Sequence, residues 1–143
     1  MVAGRTAQEY NIRKTRKGAF WEDRYHATAI QDGDHLIRCL VYIDLNMVRT
    51  GVVKHPSEWP FSGYNEIRAP SKRYSLIDRK RLMTLLGIDD SDRLSEVYKG
   101  WVGDALGRDD ISREAKWTQS IAVGNKYFVE QVKDKLGFKA IGR

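Results

Sequence analysis

The chain has 143 residues, enough for one domain or two small ones, with 31% charged and 41% hydrophobic residues, as expected of a globular protein. Its formal charge of +6 and pI near 9.5 favour nucleic acid or another polyanion as partner, although many basic proteins bind neither. The single cysteine, Cys39, excludes an internal disulfide and a cysteine zinc site, no stretch has the apolar length of a membrane span, and no signal-peptide pattern opens the sequence. A reducing, cytoplasmic setting is the default expectation, with nucleoid association if DNA is the partner.

In chain order, the first seventeen residues carry Arg5, Arg13, Lys14, Arg16 and Lys17 against one acid, Glu9. Low apolar content reads as a basic arm, either a solvated tail or a segment that orders on a partner. Phe20 to Ile30 is rich in aromatic residues and alternates near its end, which predicts one or two short extended segments. Asp32 and Asp34 are candidate caps for a helix running to about Arg49 and closed by Gly51.

That helix carries two stripes. Leu36, Leu40, Ile43 and Met47 form an apolar one, while His35, Arg38, Tyr42, Asn46 and Arg49 share a polar one. A tyrosine among arginines on a polar face is placed for chemistry on a phosphate. Its phenol, with a pKa of about 10, needs nearby cations to attack at neutral pH. Arg38 and Arg49 could supply them, and the Asn46 carbonyl oxygen could ligate a hard cation. The same spacing also fits a tyrosine at the core edge with an arginine stacked on its ring.

Residues 52–70 hold Pro56, Pro60 and Pro70 with Trp59, Phe61 and Tyr64 between them, an ordered loop that should pack on the helix. Beyond it, a helix is expected between Asp78 as cap and Gly87 as stop. A second should carry Leu94, Val97, Trp101, Val102 and Ala105, with Asp92 before it and Gly107 after it. A short helix within Ser112–Ser120 and a longer one over Asn125–Leu136 follow, the latter closed by Gly137. The last pair has the outline of a helix-turn-helix, or of an ordinary helical hairpin.

The architecture expected is mainly α: four to five helices with one or two short extended segments near the N-terminus. Trp21, Tyr25, Leu40, Ile43, Trp59, Phe61, Leu85, Val97, Trp101 and Phe128 are the core candidates. Residues 1–68 and 69–143 are the expected units.

Three ordered strings carry a resemblance: Gly18-Ala19-Phe20-Trp21-Glu22-Asp23-Arg24-Tyr25, then Tyr42-Ile43-Asp44-Leu45-Asn46-Met47-Val48-Arg49-Thr50-Gly51, then Pro56-Ser57-Glu58-Trp59-Pro60-Phe61-Ser62-Gly63-Tyr64. In order and content they resemble the REP-associated tyrosine transposases, relatives of the single-tyrosine HUH nucleases. The resemblance implies that Tyr42 is the nominal nucleophile, attacking a single-stranded DNA phosphate to form a 5′-phosphotyrosine. It also implies Mg2+ or Mn2+, with Asn46 on the metal side if a histidine pair is supplied from elsewhere. The candidate DNA contacts are Arg13, Lys14, Arg16, Lys17, Arg24, Arg38 and Arg49.

The family's His-x-His is missing: the histidines are His26, His35 and His55. Met47 stands where the family usually has proline, and Gly63 where it usually has serine. The chain therefore looks like the C-terminal part of such a transposase with a helical extension, inactive without the histidine-bearing part. The partner expected is single-stranded or hairpin DNA, with no membrane, and a second copy could cover an exposed sheet edge. A non-catalytic DNA-binding module and a helical protein-interaction domain are the alternatives.

Overall fold

A computed structural model describes residues 2–18, 20, 27–70, 75–108 and 111–137. Trp21, Arg24, Tyr25 and His26, named above as core or site candidates, lie outside the described residues.

Among the described residues the protein is mainly helical, with two short extended segments. The basic arm is a helix, α1 (Val2–Arg13), where a tail or induced segment was expected. Tyr10 meets Phe20 edge-on at 4.9 Å, and Asn11 Nδ2 donates to Gly18 O, which folds the chain back on the end of α1. Strand β1 (Ala29–Ile30) falls within the extended region read from the sequence.

Helix α2 (Asp34–Asp44) has Gly33 at its N-cap, with no side-chain cap from either aspartate. Gly33 N instead donates to Leu85 O, tying the start of α2 to a later helix. The chain turns at Leu45 and resumes as α3 (Asn46–Arg49), so the expected single helix is two pieces. Gly51 closes α3 at φ 73°, with Gly51 N donating to Val48 O and Val52 N to Met47 O, the paired bonds of a left-handed helix stop.

A 3-10 turn (Pro56–Glu58) precedes α4 (Gly63–Arg68), which Ser62 caps through Asn65 N. Helix α5 (Arg79–Leu86) is capped by Asp78 and stopped by left-handed Gly87, as the sequence indicates. The cap of α6 (Ser91–Leu106) is Asp90, accepting from Arg93 N at 2.7 Å; Asp92 lies inside the first turn. Helix α7 is one turn, Lys116–Gln119. Strand β2 (Ala122–Val123) stands between α7 and α8 (Lys126–Leu136), where a helix-turn-helix would have only a turn. Ala122 and Val123 leave the helical path because they pair in parallel with Ala29 and Ile30.

The core is made by Val41 and Leu45, Tyr64 and Ile67 of α4, Leu82 of α5, and Leu94, Tyr98 and Val102 of α6. It runs without interruption across position 69. On α6 the buried residues recur every four positions, one face of a helix. Full burial of each Leu or Val side chain there contributes about 1.5–3 kcal/mol. The inward face of α2 is Val41, Asp44 and Leu45, which lies between the two stripes read from the sequence. Ile43 and Phe61 are corrected on this point: both were core candidates, and they are 59% and 84% exposed.

Asp44 is buried because it is fully engaged. The Tyr98 hydroxyl donates to its Oδ2 at 2.5 Å, and the backbone N–H groups of Tyr64 and Gly63 also donate to it. Burial pushes the Asp44 carboxyl above the usual range, and these hydrogen bonds oppose that shift. Burial and the adjacent Asp44 push the Tyr98 phenol up as well. A Cβ at position 63 would lie 3.2 Å from Asp44 Oδ1, so glycine there leaves room for the carboxylate.

Candidate nucleic-acid interface

Tyr42 is half-buried on α2, and its ring forms part of an open cavity of about 620 Å3. Arg38, Tyr42 and Arg49 line one wall, Trp101 and Asp104 of the C-terminal half of α6 and Arg108 just beyond it another, and Ile111, Ser112, Glu114 and Lys116 the rim. Residues 101, 104 and 105 fall at helical spacing on α6, which turns them onto the same side, and Arg108 follows just after that helix ends at Leu106. The lining carries four cationic side chains against two carboxylates, a net charge of +2.

Arg49 organises this wall. Its guanidinium carbon lies 4.1 Å from the centre of the Tyr42 ring. Nη2 donates to Tyr42 O at 3.1 Å, Nε to Ile111 O at 2.7 Å, and Nη1 to Asn46 Oδ1 at 3.3 Å. A planar guanidinium with five N–H groups can do this and still keep protons for an outside acceptor. The side chain thus fastens the 111–117 segment to α2 and α3 while holding its charge on the aromatic ring.

The rim is built from its own short pairings. Trp117 is buried, its ring 6.0 Å from that of Tyr42, and its Nε1 donates to Glu114 Oε1 at 3.2 Å. Lys116 pairs with Glu114, and its Nζ lies 4.9 Å from the Trp117 ring centre. Partial burial works to raise the Glu114 pKa, but the hydrogen bonds from Lys116 and Trp117 and the charges of Lys116 and Arg49 outweigh it and hold the carboxyl below its ordinary value. Among the described residues, Arg38, Arg108 and Asp104 make no hydrogen bond or ion pair, and neither does the Tyr42 hydroxyl.

The candidates from the sequence therefore divide. Arg38, Tyr42 and Arg49 come together at the cavity, with Asn46 beside them on Arg49. Arg13, Lys14, Arg16 and Lys17 are exposed at and beyond the end of α1 and do not line the cavity. Trp101, Asp104, Arg108, Glu114 and Lys116 were not singled out as site residues. The shared face of Trp101 and Asp104 was readable from α6 periodicity; the position of Arg108 beyond the helix and the approach of residues 111–117 to Tyr42 were not, the latter because it depends on a long-range contact.

The divalent ion implied by the resemblance finds no set of ligands among the described residues. Asn46 Oδ1 already accepts from Arg49, whose positive charge opposes a second cation there. His35 precedes Asn46 by eleven residues and stands in the first turn of α2, while Asn46 opens α3 beyond the turn at Leu45. Among the described residues, no three His, Cys, Asp or Glu side chains converge so as to hold a metal ion.

Comparison of the chain with protein-family models, with curated proteins and with solved structures finds no match in any of the three. Among the described residues, no helix is long and apolar enough to cross a membrane.

Proposed function

We propose that this chain is a single-stranded-DNA-binding protein of transposase ancestry, in which Tyr42 is a strand contact and acts as no nucleophile in the chain alone. One observation carries the reading: an open cavity with an aromatic wall, Tyr42 and Trp101, flanked by Arg38, Arg49, Arg108 and Lys116. Bases stack on aromatic faces and phosphates seek guanidinium groups, so single-stranded nucleic acid satisfies both features at once. Duplex DNA would present its phosphates but keep its bases stacked away from the aromatic wall. The ordered strings around Tyr42 support the ancestry. The unpaired Tyr42 hydroxyl, with no partner placed to take its proton, supports a binding role over attack.

The test is fluorescence anisotropy of labelled single-stranded and duplex DNA against the full chain. Single strands should bind tighter than duplex, and Arg38→Glu with Arg108→Glu should weaken binding at least about tenfold, the scale of two charge-assisted contacts. No binding at low salt, or equal binding by the double variant, overturns the proposal. A covalent DNA adduct formed by the chain alone and lost in Tyr42→Phe overturns its non-catalytic part.

A further inference from the structure

We infer that Asp104 makes the cavity selective for an unstacked base that carries an exocyclic amino group, so that cytosine is favoured over thymine. The inference rests on the single-strand reading above and adds which bases the site takes.

A phosphate-binding basin has no use for a carboxylate. Yet Asp104 stands in it, exposed on α6, three residues after Trp101 and four before Arg108, which follows the helix. The other carboxylate of the lining, Glu114, is accounted for by Lys116 and Trp117. Asp104 is not: among the described residues it makes no ion pair, not even with Arg108, four residues on and just past the end of α6. Two unpaired guanidinium groups, Arg38 and Arg108, and an unpaired acceptor thus border one aromatic-walled space. A nucleotide has the matching parts: a flat ring for Trp101 and Tyr42, phosphates for the guanidinium groups, and N–H donors on the base edge for the carboxylate. The volume of about 620 Å3 is in the range of small-ligand sites and admits a single nucleotide. Cytosine offers its N4 amino group to an Asp acceptor, whereas thymine turns a carbonyl oxygen, O4, toward the same carboxylate and is repelled.

The experiment compares oligodeoxycytidine and oligodeoxythymidine of equal length, by anisotropy at neutral pH, on the full chain and on Asp104→Ala. Asp104 is exposed, and a thermal melt confirms that the variant folds. The wild-type chain should bind the cytidine strand about tenfold tighter, and Asp104→Ala should bring the ratio close to one. Stacking alone sets the opposite bias, since thymidine strands are the least self-stacked, so the direction is diagnostic. Equal or tighter binding of the thymidine strand, or a ratio that persists in Asp104→Ala, overturns the inference and leaves single-strand binding standing. Binding of neither strand overturns the single-strand reading itself.

Discussion

The guanidinium of Arg49 reaches back two helical turns to lie on the Tyr42 ring, 4.1 Å from its centre, and donates to the backbone carbonyl of the same residue. The pair is a structural joint as well as part of a binding wall, because the third edge of the guanidinium holds Ile111 O.

This joint separates two arginines that look alike in the sequence. Arg49→Lys should destabilise the protein by about 1–3 kcal/mol, since a single ammonium nitrogen cannot span three acceptors that the guanidinium meets with three separate nitrogens. Arg38→Lys, at an exposed position without a partner, should stay within about 0.5 kcal/mol of wild type. Urea unfolding of both variants checks this, and equal losses would show that the Ile111 and Tyr42 contacts contribute nothing.

The Asp44–Tyr98 pair gives a pH signature. Asp44 has its carboxyl pKa raised in the folded state, so folding takes up protons there. Its contribution to stability is greatest below the unfolded carboxylate value, about 3.9, and is lost as pH rises through the raised folded value. Asp44→Asn removes that titration. The stability of the variant relative to wild type should therefore improve as pH rises across the window, in denaturant titrations at several pH values. A difference that is flat, or that moves the other way, would contradict the burial of this carboxylate. Tyr98→Phe should cost about 1.5–3 kcal/mol at neutral pH, because it leaves a buried charged acceptor short of a donor.

How much of this was legible in the sequence depends on the range of the contact. Asp78 with Gly87, and Asn125 with Gly137, declare their helices locally, because a cap acts within a few residues of itself. Tyr42, Arg38 and Arg49 could be placed on a common face by helical period. The apolar stripe of α2 was read through Ile43, whereas the buried positions are Val41 and Asp44, and an aspartate on that side needs a partner that its own helix does not name. Asp44 in fact turns inward to Tyr98, fifty-four residues away, and no local pattern announces such a partner. The same holds for Ile111, Glu114 and Lys116, which reach the Tyr42 cavity only through the path of the chain after α6.

Gly124 should tolerate no side chain. A Cβ there would lie 2.6 Å from Phe128 Cδ1 and 2.8 Å from Gln31 Cβ, and Gln31 Oε1, which accepts from Asn125 N, is equally close. Gly124→Ala should lower stability by about 1–3 kcal/mol through overpacking. Gly103→Ala, with open space around its Cβ on α6, should be neutral or stabilising by up to about 1 kcal/mol. Thermal melts of the two variants give the comparison, and a neutral Gly124→Ala would mean that Gln31 and Phe128 do not hold their positions.

Salt should read out the cavity cations one by one. For single strands, each phosphate contact contributes about 0.7 to the slope of log affinity against log salt. Arg38→Ala with Arg108→Ala should reduce that slope by about 1.4 if each meets one phosphate. An unchanged slope with weakened binding would place the two arginines against bases instead.

The two-residue parallel ladder between Ala29–Ile30 and Ala122–Val123 sets a schedule for synthesis. The chain must be made through Val123 before the earlier strand can meet the later one, and the entropy of closing so long a loop is repaid by only a few backbone bonds. The helices between them can nucleate on their own periodic faces in the meantime. The seam that closes this loop should then form late, and hydrogen exchange should find it among the first contacts to open.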